Sequence, residues 1–230
     1  MNSGNVIIIE GIIGTGKTTF AKILSDELKC EWLQEPDEKN GNPYLSKFYE
    51  DPKRWAFTMQ LHLLNTRYRM HKFAQWNTLQ SNKNVIIDRS YFGDTAFARL
   101  QLKNGTMTQD EFDSYSMCYH NMTSNVLLPQ FCVHLIAKPN VCANRIQKRM
   151  EIQTGRKCEN AIDLQYLIDL EKEEDNMINV LEKQGVTVLR IDWNNDKSKE
   201  EIRIYAKEVI QKIKDHSKPD IFLDLHRRTM

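Results

Sequence analysis

Apolar residues fall into five short, nearly uninterrupted runs, separated by longer stretches in which they recur at helical spacing. The runs cover Val6 to Glu10, Glu31 to Gln34, Asn84 to Asp88, Cys132 to Ala137 and Val186 to Ile191. A strand that is apolar at every position is covered on both faces, and each intervening stretch is long enough for a helical crossover. The pattern therefore predicts an α/β fold with a five-stranded parallel sheet flanked by helices on both faces. One long helix is expected from Pro52 to Gln80, with Pro52 in its first turn. Thr108-x-x-Glu111 forms a capping-box pattern ahead of a helix to about Asn125, and Leu164 to Gln184 and Lys197 to Lys214 read as amphipathic helices with solvated charges. The last segment, Ser217 to Met230, carries Ile221, Phe222, Leu223 and Leu225, a pattern open to a strand, a short helix or a mobile tail. No repeat or low-complexity linker divides the chain, so one domain over residues 1 to 230 is expected.

Composition removes several function classes. The 32 Lys and Arg nearly balance 31 Asp and Glu, and a net charge of +1 offers no whole-chain attraction to nucleic acid or an anionic membrane. The 5 cysteines are odd in number and widely spaced, which suggests reduced thiols rather than a disulfide framework or a zinc site. No apolar run reaches the length of a membrane span, and only five residues precede the first strand, so a cytoplasmic protein is expected.

The chemistry begins where the first strand ends. Gly11-Ile12-Ile13-Gly14-Thr15-Gly16-Lys17-Thr18 satisfies the phosphate-loop pattern G-x-x-x-x-G-K-[ST], with Thr19 following in the helix. Glycines let backbone N–H groups curl around phosphate oxygens, Lys17 can reach the β- and γ-phosphates, and the Thr18 hydroxyl can meet Mg²⁺. A nucleoside triphosphate is thus expected here, in a switch, a motor or a kinase. The absence of an N-K-x-D guanine box and a D-x-x-G switch element argues against a GTPase.

Parallel strands beside such a loop deliver their C-terminal residues to the phosphate crevice. The third run ends in Asp88-Arg89-Ser90, placing Asp88 to hold Mg²⁺ and Arg89 to neutralise phosphate. Glu35, followed by Pro36, ends the second run and could take the proton of an attacking hydroxyl. Arg145 and Arg149 lie four apart on one helical face, where two guanidiniums could close over a migrating phosphoryl group.

Together, the loop from Ile9 to Thr18, Glu35-Pro36, the segment Tyr49-Glu-Asp-Pro-Lys-Arg-Trp-Ala-Phe-Thr-Met-Gln60, Arg67, Asp88-Arg-Ser90 and Arg145-Ile-Gln-Lys-Arg149 resemble the deoxynucleoside kinases. The resemblance spans roughly residues 6 to 192. It implies a P-loop kinase fold and Mg²⁺-dependent transfer of the ATP γ-phosphate to a deoxynucleoside 5′-hydroxyl. Glu35 would act as base, with Lys17, Arg89, Arg145 and Arg149 steadying the phosphoryl group and the two last arginines opening a lid over about 145 to 158.

The same resemblance implies that Gln60 pairs with the base and that Tyr49 and Glu159 hold the sugar 3′-hydroxyl. Leu45, Phe57, Met59 and Leu63 complete the nucleoside set, with Trp55 and Phe92 as further apolar walls. Arg67 and Asp94 imply a purine, deoxyadenosine ahead of deoxyguanosine, with deoxycytidine open. Leu63 stands where the family usually carries a small residue, and the lid is longer than usual, with Arg156 a possible third cation. A homodimer joined through the Pro52 to Gln80 helix is also implied. A nucleoside-monophosphate kinase and a nucleotide-binding regulator without transfer activity remain as alternatives.

Overall fold

In the computed structural model, which describes residues 4–37, 41–152 and 162–216, five strands form one sheet in the order β2-β3-β1-β4-β5. The strands are β1 (Val6–Glu10), β2 (Glu31–Leu33), β3 (Val85–Asp88), β4 (Phe131–Ile136) and β5 (Thr187–Asp192), and every neighbouring pair is parallel. The helices are α1 (Lys17–Leu28), α2 (Leu45–Glu50), α3 (Pro52–Ser81), α4 (Tyr91–Lys103), α5 (Gln109–Thr123), α6 (Pro139–Ile152), α7 (Leu164–Lys183) and α8 (Lys199–His216).

The all-apolar runs are explained by burial on both faces. Ile7 and Ile9 of β1 pack with Phe20 and Leu24 of α1 and with Ile202 and Val209 of α8. Ile8, pointing the opposite way, packs with Leu64 of α3, Tyr115 of α5 and Ile178 of α7. A third cluster joins Phe48 of α2 to Ala56, Met59 and Leu63 of α3, and it forms a wall beyond the sheet edge.

Local signals set the helix starts. Asp51 caps α3 by accepting a hydrogen bond from the Arg54 N–H at 3.2 Å, with Pro52 in the first turn. Thr108 and Glu111 form the reciprocal capping box of α5. The short helices α2 and α4 lack a long periodic pattern of their own, and the sequence pattern left both unassigned. The expected lid reaches Ile152 as the end of α6; its remainder, with Glu159 and Arg156, and the tail from Ser217 lie outside the described residues.

Strand order determines where function can assemble. Because β1 is central, with β3 on one side and β4 on the other, the phosphate loop emerges at the middle of the sheet's C-terminal edge. The residues following β2 and β3 emerge on the same edge, so Glu35 and Asp88-Arg89 converge on Gly11–Thr18, although Arg89 and Gly11 are 78 residues apart in the chain.

Candidate active site

A cavity of about 460 Å³ opens along this edge. One end is lined by Ile13, Gly14, Gly16, Lys17, Thr18 and Thr19, and the other by Leu45, Tyr49, Met59, Gln60, Leu63 and Arg67. Glu35 and Arg89 line it too, as do Arg145 and Arg149.

The loop end is built by backbone geometry. Gly14 and Gly16 adopt φ of +84° and +104°, a region costly for other residues. A Cβ on Gly14 would also lie 2.7 Å from the Cys142 carbonyl oxygen of α6, so the loop can sit this close only as glycine. Thr15 pins the turn by donating to the Ile12 carbonyl at 2.7 Å. The buried Lys17 ammonium donates to the carbonyls of Gly11 at 2.8 Å and Ile12 at 3.1 Å, a folded-back position from which it can swing to a phosphate.

The Thr18 hydroxyl donates to Asp88 Oδ2 at 2.6 Å. Asp88 is fully buried, and its Oδ1 has no hydrogen-bond partner among the described residues. Burial and the neighbouring Glu35 charge raise the Asp88 carboxyl to about 6, against the pull of Lys17 and Thr18. A hydroxyl and a carboxylate with a spare oxygen are hard donors that suit Mg²⁺.

Glu35 is the hinge between the two ends. Its Oε1 lies 2.7 Å from Arg67 Nη2 and 2.8 Å from Arg89 Nε. Burial would raise this carboxyl, but Arg89, Arg67 and Lys17 together hold it down at about 2. It stays ionised at any physiological pH, and its side chain is 31% exposed, whereas both arginines are buried. Arg89 takes a left-handed backbone, φ +63°, unusual for a non-glycine residue, and its Nη2 donates to the Gly11 carbonyl at 3.0 Å. One guanidinium thus joins the phosphate loop to Glu35.

At the other end, α3 presents Met59, Gln60, Leu63 and Arg67 to the cavity within two helical turns. Gln60 is 1% exposed and its amide oxygen has no partner among the described residues, so an acceptor points into a nearly dry site. Arg67 is also paired with Asp94 of α4, which is fully buried.

The structure relocates some residues expected here. Phe57 packs with the cluster containing Ile8 and Leu64, and Phe92 stacks against Tyr91 within it, so neither lines the cavity. Trp55 packs outside the third cluster, against Tyr44 and below the Arg54 and Lys47 cations. Asp94 does not line the cavity and is paired with Arg67, which does. Arg145 is anchored: it donates to the Trp193 carbonyl at 3.0 Å and the Thr15 carbonyl at 3.3 Å, and pairs with Asp196 at 3.0 Å. The lining also includes Asn42, Phe48, Phe97 and Tyr166, which sequence reasoning missed. Phe97 lies against the Arg89 guanidinium at 4.8 Å, and nothing short of the α4 packing places it there.

A deoxynucleoside kinase family model matches residues 7–217, nearly the whole chain. The chain belongs to the deoxynucleoside kinase family. It is therefore an ATP-dependent phosphotransferase. This kinase is 31% identical to deoxyguanosine kinase of Bacillus subtilis (strain 168) over 218 residues, covering 91% of this chain and 100% of the relative. It is 34% identical to deoxyguanosine kinase of Dictyostelium discoideum over 194 residues, 84% of this chain and 66% of that longer protein. Among solved structures, deoxyadenosine kinase from M. mycoides with bound dATP superposes with a TM-score of 0.74 at 25% identity, over 89% of this chain and 98% of that one. The relatives thus include deoxyguanosine and deoxyadenosine kinases alike, and the expected order of deoxyadenosine before deoxyguanosine draws no support from them.

Proposed function

We propose that this kinase transfers the ATP γ-phosphate to the 5′-hydroxyl of a purine deoxynucleoside, with deoxyguanosine and deoxyadenosine as equal candidates. One observation carries the reading. A single cavity joins a phosphate loop to a buried amide and a hydroxyl-bearing side chain, with one ionised carboxylate between them. Gln60 offers an acceptor and two donors to the edge of a nucleobase, and Tyr49 a hydroxyl to the sugar. Glu159, the second sugar ligand implied by the resemblance, lies outside the described residues.

In the reaction, the nucleoside 5′-oxygen bonds to the γ-phosphorus as the bond to the β,γ-bridging oxygen breaks, and the hydroxyl proton passes to Glu35. A carboxyl held at about 2 is too weak to remove that proton beforehand. It orients the hydroxyl by accepting its hydrogen bond and collects the proton once the forming P–O bond has made it acidic, as suits a loose phosphoryl transition state. Lys17, Arg89 and Arg149 supply the positive charge that the terminal phosphate requires. Thr18 and Asp88 would hold the Mg²⁺ of the nucleotide, which contributes charge neutralisation.

A monophosphate acceptor fits less well, because its own phosphate would meet the Glu35 carboxylate. Action as a cytoplasmic homodimer belongs to the same reading. Phe73, Trp76 and Leu79, 46%, 61% and 52% exposed along α3, give association an apolar stripe to cover.

The test is incubation with ATP, Mg²⁺ and a panel of deoxynucleosides and deoxynucleoside monophosphates, with products separated by chromatography. Phosphorylation of purine deoxynucleosides is expected, and their relative kcat/KM ranks guanine against adenine. Phosphorylation of monophosphates alone, or of nothing, would sink the reading.

A further inference from the structure

Glu10, the last residue of β1, is fully buried and absent from the cavity lining, yet it touches the residue next to Arg89. Its Oε1 accepts two hydrogen bonds from Ser90, from the backbone N–H at 2.8 Å and the hydroxyl at 2.6 Å. On either side of it in the chain, the Ile9 carbonyl accepts the Arg89 N–H at 3.0 Å and the Gly11 carbonyl accepts Arg89 Nη2 at 3.0 Å. Three successive residues of β1 and its loop thus grip two successive residues after β3.

The gripped backbone is the left-handed one, φ +63° at Arg89. Such a conformation persists in a non-glycine residue only where its surroundings over-determine it. Space has been cleared for the grip as well. A Cβ on Gly93 would come within 2.8 Å of Glu10 Oε2, so a side chain there would crowd the carboxylate that holds Ser90.

We propose that Glu10 is a positioning residue: by fixing Ser90 it holds the Arg89 backbone in its left-handed form and so aims the Arg89 guanidinium at Glu35. This rests on the reading of Glu35 as the acceptor-side carboxylate. The groups facing Glu10 are Arg89 and Ser90 after β3, Lys17 of α1, Arg67 of α3, Cys132 of β4 and Glu174 of α7. Those facing Glu35 are Arg89, Arg67 of α3, Lys17 and Asp88. A residue that merely starts α4 would stabilise the fold and leave the ionisation of Glu35 alone.

The experiment compares wild type, E10A and E10Q. The Glu35 carboxyl is followed by its ¹³C shift across the acid range, assigned by its loss in E35Q, and turnover is measured beside it. In E10A the Glu35 midpoint is expected to rise by about one unit as Arg89 slackens. Turnover is expected to fall at least about tenfold, with KM for ATP nearly unchanged. E10Q keeps an acceptor oxygen for both Ser90 bonds and is expected to recover most of both losses. If E10A does not fold, S90A keeps the backbone bond to Glu10 but removes the hydroxyl bond, together with the 3.2 Å cap on the Phe92 N–H, and should move Glu35 in the same direction by less. An unmoved Glu35 midpoint in folded E10A or in S90A overturns the proposal, as does an E10Q defect equal to that of E10A. The carboxyl titration needs no substrate, so an enzyme inert toward every deoxynucleoside refutes the function reading without touching this result.

Discussion

The two ends of the cavity are built in opposite ways. The donor end is local: residues 11 to 19 form a contiguous loop and helix start, and under the proposed function its groups for phosphate are mostly backbone N–H. The acceptor end is composed of side chains from α2, α3 and the segment after β2, backed by α4, and its charges are buried in mutual contact: Glu35 against Arg67 and Arg89, and Arg67 against Asp94. A backbone cradle recognises any triphosphate and tolerates change in the side chains around it. A network of buried charges is specific and intolerant, since removing one partner strands another.

Separating the two ends kinetically is the strongest test of this contrast. Lys17→Ala is expected to lower kcat by about two to three orders of magnitude and to weaken ATP without changing deoxynucleoside affinity. Glu35→Gln is expected to lower kcat by about two to four orders of magnitude, with deoxynucleoside Kd held within a few-fold. Equal losses of turnover and nucleoside binding in Glu35→Gln would make that residue a binding group rather than the proton acceptor.

A smaller effect tests the intolerance of the acceptor end. Asp94→Ala leaves the buried Arg67 without one of its carboxylates, which costs about 3–5 kcal/mol for a buried pair. That corresponds to a Tm lowered by about 2–4 °C per kcal/mol in a chain of this size. The ranking of bases should shift while ATP affinity stays unchanged, measured by kcat/KM over the nucleoside panel beside an ATP titration. An unaltered ranking would remove the pair from base selection.

The smallest effect concerns a carboxyl behind the site. Glu174 of α7 is 2% exposed, and burial raises it to about 8 despite the nearby Arg89 and Lys17 charges. A carboxyl raised in the folded state favours folding less as pH climbs from its unfolded value towards its folded one, because the native chain must retain a proton that the unfolded chain releases. Glu174→Gln is therefore expected to raise Tm by a few degrees at pH 8 and by less at pH 5. A Tm difference independent of pH would show that Glu174 is ionised in the native protein.

The donor end was legible because its signal lies in consecutive residues: the loop pattern, the apolar strand before it and the helix after it need no knowledge of the rest of the chain. The five strands were legible for a related reason, since full burial leaves an uninterrupted apolar run, and their ends shifted by only a residue or so, as with β4 at Phe131–Ile136 against an expected Cys132 to Ala137. The acceptor end was less so. Tyr49, Gln60 and Arg67 came from resemblance, and Phe57 shows its limit: neighbours on one helix, Phe57 and Met59, face the sheet core and the cavity wall respectively. Phe97 and Glu10 carry no local mark, for an aromatic on a helix and an acid at a strand end are common in any fold.

The sequence by itself determined the parallel sheet and the phosphate loop, because each is written in local spacing and in the period of burial, and it carried the kinase class through its resemblance to a family. Only the tertiary structure decided that Glu35 is ionised between two arginines, that Asp94 pairs with Arg67, and that Glu10 grips Ser90. Those properties depend on which residues distant in the chain share a small, poorly solvated volume. Both the strength of a charge interaction and the cost of burying a charge are fixed by that packing.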